Sequence, residues 1–265
     1  MMTRKITLRT AEEVEKLRAN NMLVSRTLAA LAGMIRPGVK TIELDRFAES
    51  FIRDHGAVPG FKGYEGFPYT LCVSVNDVVV HGFPSEYALR EGDIVSVDCG
   101  TIKDGFYGDS AFTFAVGEIS PENRQLLDVT RKSLELGIAE AVSGNRVGDI
   151  GAAVQDYSES FGYGVVRELV GHGLGTTMHE YPEVPNYGRR GHGVLLRPGL
   201  CICIEPMVTM GSHSVYQDRD GWSVRTLDGS NAAHFEKAIV VSDRGAAEEL
   251  TDFAIIDEAV SKSLA

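Results

Sequence analysis

Two stretches of this sequence look like copies of one another, and together they restrict the fold more than any other feature. The first runs Leu89-Arg90-Glu91-Gly92-Asp93-Ile94-Val95-Ser96-Val97-Asp98 and the second Leu196-Arg197-Pro198-Gly199-Leu200-Cys201-Ile202-Cys203-Ile204-Glu205. Each opens Leu-Arg-x-Gly, continues as an apolar run rich in β-branched residues, and closes on an acid; the two acids are 107 residues apart. An acid closing an apolar strand is costly to bury unless something compensates it. Two such acids at matching places in two half-chains imply one shared charge between them, and a metal ion is the simplest candidate.

The helices repeat as well. Thr10 and Glu13 have the form of a capping box, and Val14, Leu17, Met22, Val24, Leu28, Leu31 and Ile35 recur at roughly helical spacing. A helix is therefore expected to about residue 35, where Arg36-Pro37-Gly38 stops it. A second is expected over 41–56, with Leu44, Phe47, Phe51 and Ile52 inward. Ser120-Pro121 starts a third that runs to about residue 142, and a fourth spans about 149–162. Gly38, Glu43 and Leu44 match Gly144, Asp149 and Ile150 at an offset of 106. The chain reads as an internal duplication with halves of about 10–117 and 118–245. It is not a solenoid, which needs several copies of a shorter period.

Strands lie between the helices. Residues 59–68, rich in Gly and aromatics, read as an irregular loop; 70–75 and Val78-Val79-Val80 read as strands, the second delivering His81. Residues 94–99 and 111–116 form a hairpin, closed by the type I′ turn signal Asp104-Gly105. A two-residue turn there pairs Lys103 with Phe106 and sets Asp109 opposite Gly100. Asp98 then lies diagonal to Asp109 on the same face, within reach of one ion. Ser96, Ala111 and Thr113 share that face, while Val95, Val97, Cys99, Phe112 and Phe114 turn toward the helices. In the second half, 165–170 is expected as a strand ending at Gly171-His172-Gly173, 200–205 as the repeat strand and 235–241 as the last core strand. Residues 211–231 read as an insertion, with turns at Asp220-Gly221-Trp222 and Asp228-Gly229. With that insertion allowed for, Glu236 is the duplicate of Asp109.

Composition excludes several classes. The formal net charge of −11 argues against a polyanion-binding surface. No basic tract, RNP-like motif or zinc-finger spacing appears, so no nucleic acid partner is expected. The four cysteines, Cys72, Cys99, Cys201 and Cys203, form no C-x-x-C pair and no disulfide framework. Cys201 and Cys203 alternate onto the face of Glu205 and read as small core residues. Met1-Met2-Thr3-Arg4-Lys5 leads into polar sequence without the apolar core of a signal peptide. No apolar run approaches the ~20 residues of a membrane helix. The expectation is a reducing, cytoplasmic location with no membrane contact.

The duplication delivers four acids, Asp98, Asp109, Glu205 and Glu236, with His172 as a natural fifth group. Taken singly, each acid could be a solvated strand end or an ion-pair partner. Four carboxylates together carry too much negative charge for one ion and suit two. Two metals ~3.5–4 Å apart, bridged by carboxylates and a water, can generate hydroxide and clamp a developing oxyanion.

In this order, these residues resemble those of the methionine aminopeptidases of the bacterial type I class, metallopeptidases of the pita-bread fold. The resemblance rests on Asn76-Asp77-Val78-Val79-Val80-His81-Gly82, Val97-Asp98-Cys99-Gly100, Gly108-Asp109, Gly171-His172-Gly173-Leu174-Gly175, Met178-His179-Glu180, Ile204-Glu205-Pro206-Met207, Asp220-Gly221-Trp222 and Phe235-Glu236, and covers nearly the whole chain. It implies an α+β fold in which two pseudo-symmetric halves form a central curved antiparallel sheet backed by helices. It implies two divalent ions, for which cobalt, manganese, iron and zinc are all candidates. Asp98 would chelate one metal, Asp109 and Glu236 would bridge both, and His172 and Glu205 would complete the other. Glu205 would also handle the proton of the bridging water. His81 would hydrogen-bond near the scissile amide, and His179 would steady the tetrahedral intermediate. Tyr64, Phe67, Cys72, Met178 and Trp222 would line the methionine pocket. The implied partner is the N-terminus of a peptide or nascent chain, met near the ribosome by a monomeric enzyme.

The sequence departs from that family's pattern at Met178, where an aromatic is common, and at Val80, Phe61, Phe67 and Lys237. None of these is a ligand position, so the departures bear on pocket shape. A prolidase or aminopeptidase P-like enzyme would share the metal site but carry a further N-terminal domain and additional histidines. A non-catalytic binding module or a metal-free creatinase-like hydrolase would have lost ligands. His55, His192, His213 and His234 read as surface groups or as groups behind the ligands.

Overall fold

Thr10 opens the first helix as its capping box requires: its hydroxyl accepts from Glu13 N, and Thr10 N donates to the Glu13 carboxylate. In this computed structural model, which describes residues 5–263, that helix is α1 (Ala11–Ala32). Met1-Met2-Thr3-Arg4, read above as lacking a leader signal, lie outside the described residues. α1 stops three residues short of the expected end because Met34 N and Ile35 N both turn back to the Leu31 carbonyl. α2 (Thr41–Asp54), α3 (Pro121–Ala139) and α4 (Val147–Ser160) follow. α4 starts two residues earlier than expected, since the Asp149 carboxylate reaches back to Arg146 N at 2.7 Å. α5 (Ala254–Ser263), not among the expected helices, buries Ile256 and packs along α1.

The first hairpin has the expected register. Ile94–Lys103 pairs with Phe106–Ala115 so that Lys103 faces Phe106, Gly100 faces Asp109 and Asp98 faces Ala111. The turn works because Asp104 (φ 52°) and Gly105 (φ 76°) both take the left-handed conformation that a type I′ turn demands. The alternation also holds. Ser96 and Thr113 bond to each other at 2.8 Å on the face of the two acids. Val95, Val97, Cys99, Phe112 and Phe114 sink into the main core with Leu28, Leu31, Leu44, Leu126 and Leu134. Leu71–Val75 flanks the hairpin and sets Cys72 opposite Asp98.

The second half is more broken. Cys201–Ile204 and Met207–Thr209 are separated at Glu205-Pro206, and Ala232–His234 and Lys237–Val240 at Phe235-Glu236. Both breaks fall at the acids. The register is the same on either side, Lys237 with Ile204 and Met207 with His234, so Glu205 sits across from Glu236.

The strand expected over 165–170 and onward to Gly173 does not form as one piece. Gly164–Val165 pairs with Met207–Thr209, whereas Gly171–Gly173 pairs with Glu180–Val184 and Cys201–Ile204. Between them Arg167 and Glu168 are exposed, with Arg167 reaching Glu159 at 3.6 Å. A pair of charges that stays in water bows the chain out of the sheet. Residues 211–231 form a short hairpin, Val215–Gln217 with Val224–Thr226, which adds to Val78–Val80 and carries Trp222 in its turn.

The halves meet along Phe106–Ala115. Glu236 N donates to the Ala111 carbonyl at 2.9 Å and Ser110 Oγ to the Glu236 carbonyl at 2.6 Å. Thr113 Oγ1 donates to the His234 carbonyl at 2.7 Å. The two antiparallel arrays thus join into one curved surface, with helices behind and the acids on the concave side.

Candidate active site

That concave side encloses a cavity of about 240 Å³, lined among others by Phe61, Tyr64, Phe67, Cys72, His81, Asp98, Asp109, His172, Met178, His179, Glu205, Trp222, His234 and Glu236. Every residue singled out in the sequence for a site role lies on its wall.

His172 stands on the short strand Gly171–Gly173, with Nδ1 at 3.0 Å from its neighbour's carbonyl oxygen on Gly173. A carbonyl can only accept, so Nδ1 carries the hydrogen. Burial lowers the His172 pKa to about 3, so the ring is neutral and Nε2 is bare. That bare nitrogen lies 3.6 Å from Asp109 Oδ2 and 3.6 Å from Glu205 Oε1. With both carboxyls ionised, these three acceptors repel, and only a bound cation or an added proton relieves them. Asp98 Oδ1, Asp109 Oδ1 and Glu236 Oε1 are likewise buried without a hydrogen-bond partner. Three orphaned carboxyls, with Glu205 and the His172 imidazole beside them, are a donor set that fits divalent ions.

The electrostatics agree. Burial pushes the Asp98 carboxyl up to about 7. It also raises Asp109, Glu205 and Glu236, and in each of these the neighbouring carboxylates add to the rise.

His81 follows Val80 with φ 58°, an uncommon conformation for a side-chain-bearing residue that marks strain held at a functional site. Burial, helped by the nearby His179, lowers its pKa to about 4. His179 lies exposed at the mouth, its Nδ1 2.9 Å from the Tyr64 hydroxyl and its ring edge-on to His172 at 4.5 Å. Phe61, Phe67, Cys72 and Met178 form an apolar cluster, with Tyr64 and Trp222 packed against it. The Asp220 carboxylate holds the Trp222 turn by accepting from Trp222 N and Ser223 N, each at 2.8 Å.

Two neighbours were named in the sequence without a site role. Cys203, expected as a plain core residue, has its sulfur in one group with ligand atoms of Asp109, His172 and Glu236, all within 4.8 Å of one another. Both Cys201 and Cys203 sit in an apolar cluster, as expected of small core residues. His234 is buried and turns Nε2, without a hydrogen-bond partner, to within 3.7 Å of Glu205 Oε2. A signal existed for both: Cys203 is two residues from Glu205, and His234 two from Glu236, on the same strand path. His55 and His192 are on the surface. Nothing in local sequence connects Tyr64 with His179.

The model of metallopeptidase family M24 matches residues 15–243. A methionine aminopeptidase of Clostridium acetobutylicum is 50% identical over 241 residues, 91% of this chain and 96% of that one. The chain belongs to metallopeptidase family M24, among its methionine aminopeptidases. The crystal structure of methionine aminopeptidase from Thermotoga maritima matches with a TM-score of 0.92 at 42% identity, over 94% of this chain and 100% of that one. A Xaa-Pro dipeptidase from Bacillus anthracis matches at 0.76 with 25% identity, and there this chain covers only 62% of the other. The longer, prolidase-like architecture considered from the sequence is therefore a more distant likeness.

Linkage turns the raised carboxyls into a measurement. A carboxyl whose pKa is raised by folding makes the folded state bind more protons, so its contribution to stability falls as pH rises. His81, His172, His179 and His234 are lowered and act with the opposite sign, but only below the free imidazole value of about 6.5. Above that, the acids alone remain. The melting temperature of metal-free protein should fall from about pH 6.5 to pH 8, and a divalent ion should raise it and flatten the slope. A metal-free melting temperature that climbs over this window would contradict the raised carboxyls.

Proposed function

We infer that this chain removes the N-terminal methionine of peptides by metal-dependent hydrolysis, acting when the second residue is small. The family and the relatives named methionine aminopeptidase support the reaction. The observation that carries the site reading is His172 Nε2 facing two carboxylate oxygens at the acid-rich end of a cavity whose other end is apolar and aromatic. Two divalent ions suit it better than one, since four carboxyls converge. Asp98 would hold one ion, Asp109 and Glu236 would lie between both, and His172 with Glu205 would hold the other. When bound, the ions supply an acidified water as nucleophile and charge stabilisation for the oxyanion. Oxygen-rich ligation with one imidazole suits manganese or iron at least as well as cobalt or zinc.

The chain's own groups do the rest. Glu205, on the wall beside His172 Nε2, would take the proton of the attacking water. Tyr64 donates to His179 Nδ1, which leaves the hydrogen on Nε2 free to meet the carbonyl oxygen as it gains charge. His81, neutral at working pH, hydrogen-bonds at the scissile amide. Phe67, Cys72, Met178 and Trp222 accept the methionine side chain, whose thioether packs well on aromatic edges. All lining residues come from one chain, so a monomer suffices, and emerging N-termini near the ribosome fit the substrate class. We read the chain as one catalytic domain in two copies, about 10–117 and 118–245; the repeated order of helix pair and hairpin supports this.

Chelation tests the reaction class. Cleavage of a Met-Ala-Ser peptide should vanish with EDTA and return with manganese or cobalt, while an X-Pro peptide stays uncut. Chelator-resistant cleavage would remove the reading.

For His179→Ala, kcat should fall roughly 10²–10³-fold, the range for loss of one oxyanion donor, with KM little changed and metal content intact. Loss of metal in that variant would instead make His179 a ligand.

Substrate choice turns on Met178. Its methyl carbon lies 3.1 Å from where a side chain on Gly60 or on Gly100 would begin, and it clusters with Phe61. A flexible thioether yields where a ring does not. Leu or norleucine at the first position should therefore be cleaved measurably, and Met178→Phe should sharpen the preference for Met by about 1–3 kcal/mol. The ratio of kcat/KM for Met-Ala-Ser and Leu-Ala-Ser on both proteins checks this; an unchanged ratio means Met178 does not shape the pocket.

A further inference from the structure

Outside the cavity, one buried ion pair has no assigned purpose. Arg9, in the segment just before α1, is paired through its guanidinium with Glu180, and both side chains are withdrawn from water (4% and 15% exposed). Glu180 directly follows His179. Its other oxygen, Oε1, accepts from Thr176 N at 2.9 Å and Thr177 N at 3.4 Å. One carboxylate therefore ties down the backbone of the loop that ends in His179.

The fit is built into the chain on both sides. The guanidinium fills the space where a side chain on Gly175 would lie, so only glycine leaves room there. It also stacks 5.9 Å above the Phe106 ring. Arg9 itself is fixed by Arg9 N donating to the Gly199 carbonyl at 2.7 Å, beside the bridge between Leu8 and Leu200. The loop's far end is held where Tyr107 N donates to the Gly175 carbonyl at 2.8 Å. The His179 ring, by contrast, has the Tyr64 hydroxyl as its one side-chain hydrogen bond among the described residues.

We propose that Arg9 is a positioning residue for His179, acting through Glu180: the guanidinium neutralises the carboxylate that braces the loop. Without it, Glu180 is a buried carboxylate with no counter-charge, next to a cavity already rich in acids. Such a group turns outward to water, and the two amides it held go with it. The inference rests on the reading of His179 as the donor to the carbonyl oxygen.

The test is a double-mutant cycle on the metal-loaded protein with Met-Ala-Ser as substrate. Arg9→Met should lower kcat roughly 10–100-fold, the scale of a misplaced catalytic group, with KM and metal content little changed. Arg9→Lys should recover most of the loss. On the His179→Ala background, Arg9→Met should cost almost nothing more, because the group it positions is gone. An equal loss on both backgrounds, or no rescue by lysine, overturns the proposal and leaves Arg9 a structural residue. An unchanged kcat in His179→Ala alone overturns the reading of His179, and the positioning role with it. If Arg9→Met does not fold, Glu180→Ala, which removes the acceptor for the two amides, enters the same cycle with the same expectations.

Discussion

Four carboxyls and one bare imidazole nitrogen converge on a space that no lysine or arginine among the described residues lines. Their mutual repulsion is the constraint around which the molecule is arranged. The protein does not relieve it by pairing; it holds the acids in place by backbone. Asp109 N donates to the Asn21 side chain of α1 at 3.0 Å, and Glu236 is bonded through both N and O to the neighbouring strand. The force comes from the opposite face of the same strands, where Val95, Val97, Phe112 and Phe114 are buried. Strict alternation makes this possible: one strand drives its apolar side into the core and so fixes its acidic side against electrostatic cost. A cation bound at the acids then stabilises the folded state in proportion to its affinity, since the unfolded chain has no such cluster.

Pocket shape follows from the same sheet. Gly100 lies opposite Asp109, and a side chain there would collide with the Phe61 ring and press on the Met178 methyl group. Phe61 and Met178 are both departures from the family pattern noted in the sequence, and they touch the same patch of sheet. The Phe61 ring and the Met178 methyl both close over Gly100, where only a glycine leaves room for them.

What was legible in the sequence was what short-range rules control. Asp104-Gly105 fixed the turn, the turn fixed the register, and the register set Asp98 diagonal to Asp109. Thr10 with Glu13, and Ser120 with Pro121, marked two helix starts correctly. The failures have a common cause. The strand expected from 165 to 173 is apolar enough to run on, but Arg167 and Glu168 stay in water and divide it between two sheets. Tyr64 meets His179 across 115 residues, and Arg9 meets Glu180 across 171. No periodicity reports contacts of that kind; only the assembled fold does. Cys203 and His234 lie in between, since alternation put them on the acids' face although their proximity to the ligand atoms was not read from it.

The two hairpins also differ in a way that explains their residue types. In the first, Asp98 faces Ala111 and lies diagonal to Asp109; in the second, Glu205 faces Glu236 directly. The pairing has slipped by two residues. A slip of one would turn every side chain to the other face and destroy the site, whereas a slip of two returns each to its own face. The acids therefore stay on the concave side at the expense of a changed separation. The second pair is also interrupted, at Glu205-Pro206 and Phe235-Glu236, where the ladder lapses for a step. Glutamates, longer by one methylene and set at these breaks, can converge on the same point as the shorter aspartates. The side-chain length in each half thus matches the register of its own hairpin.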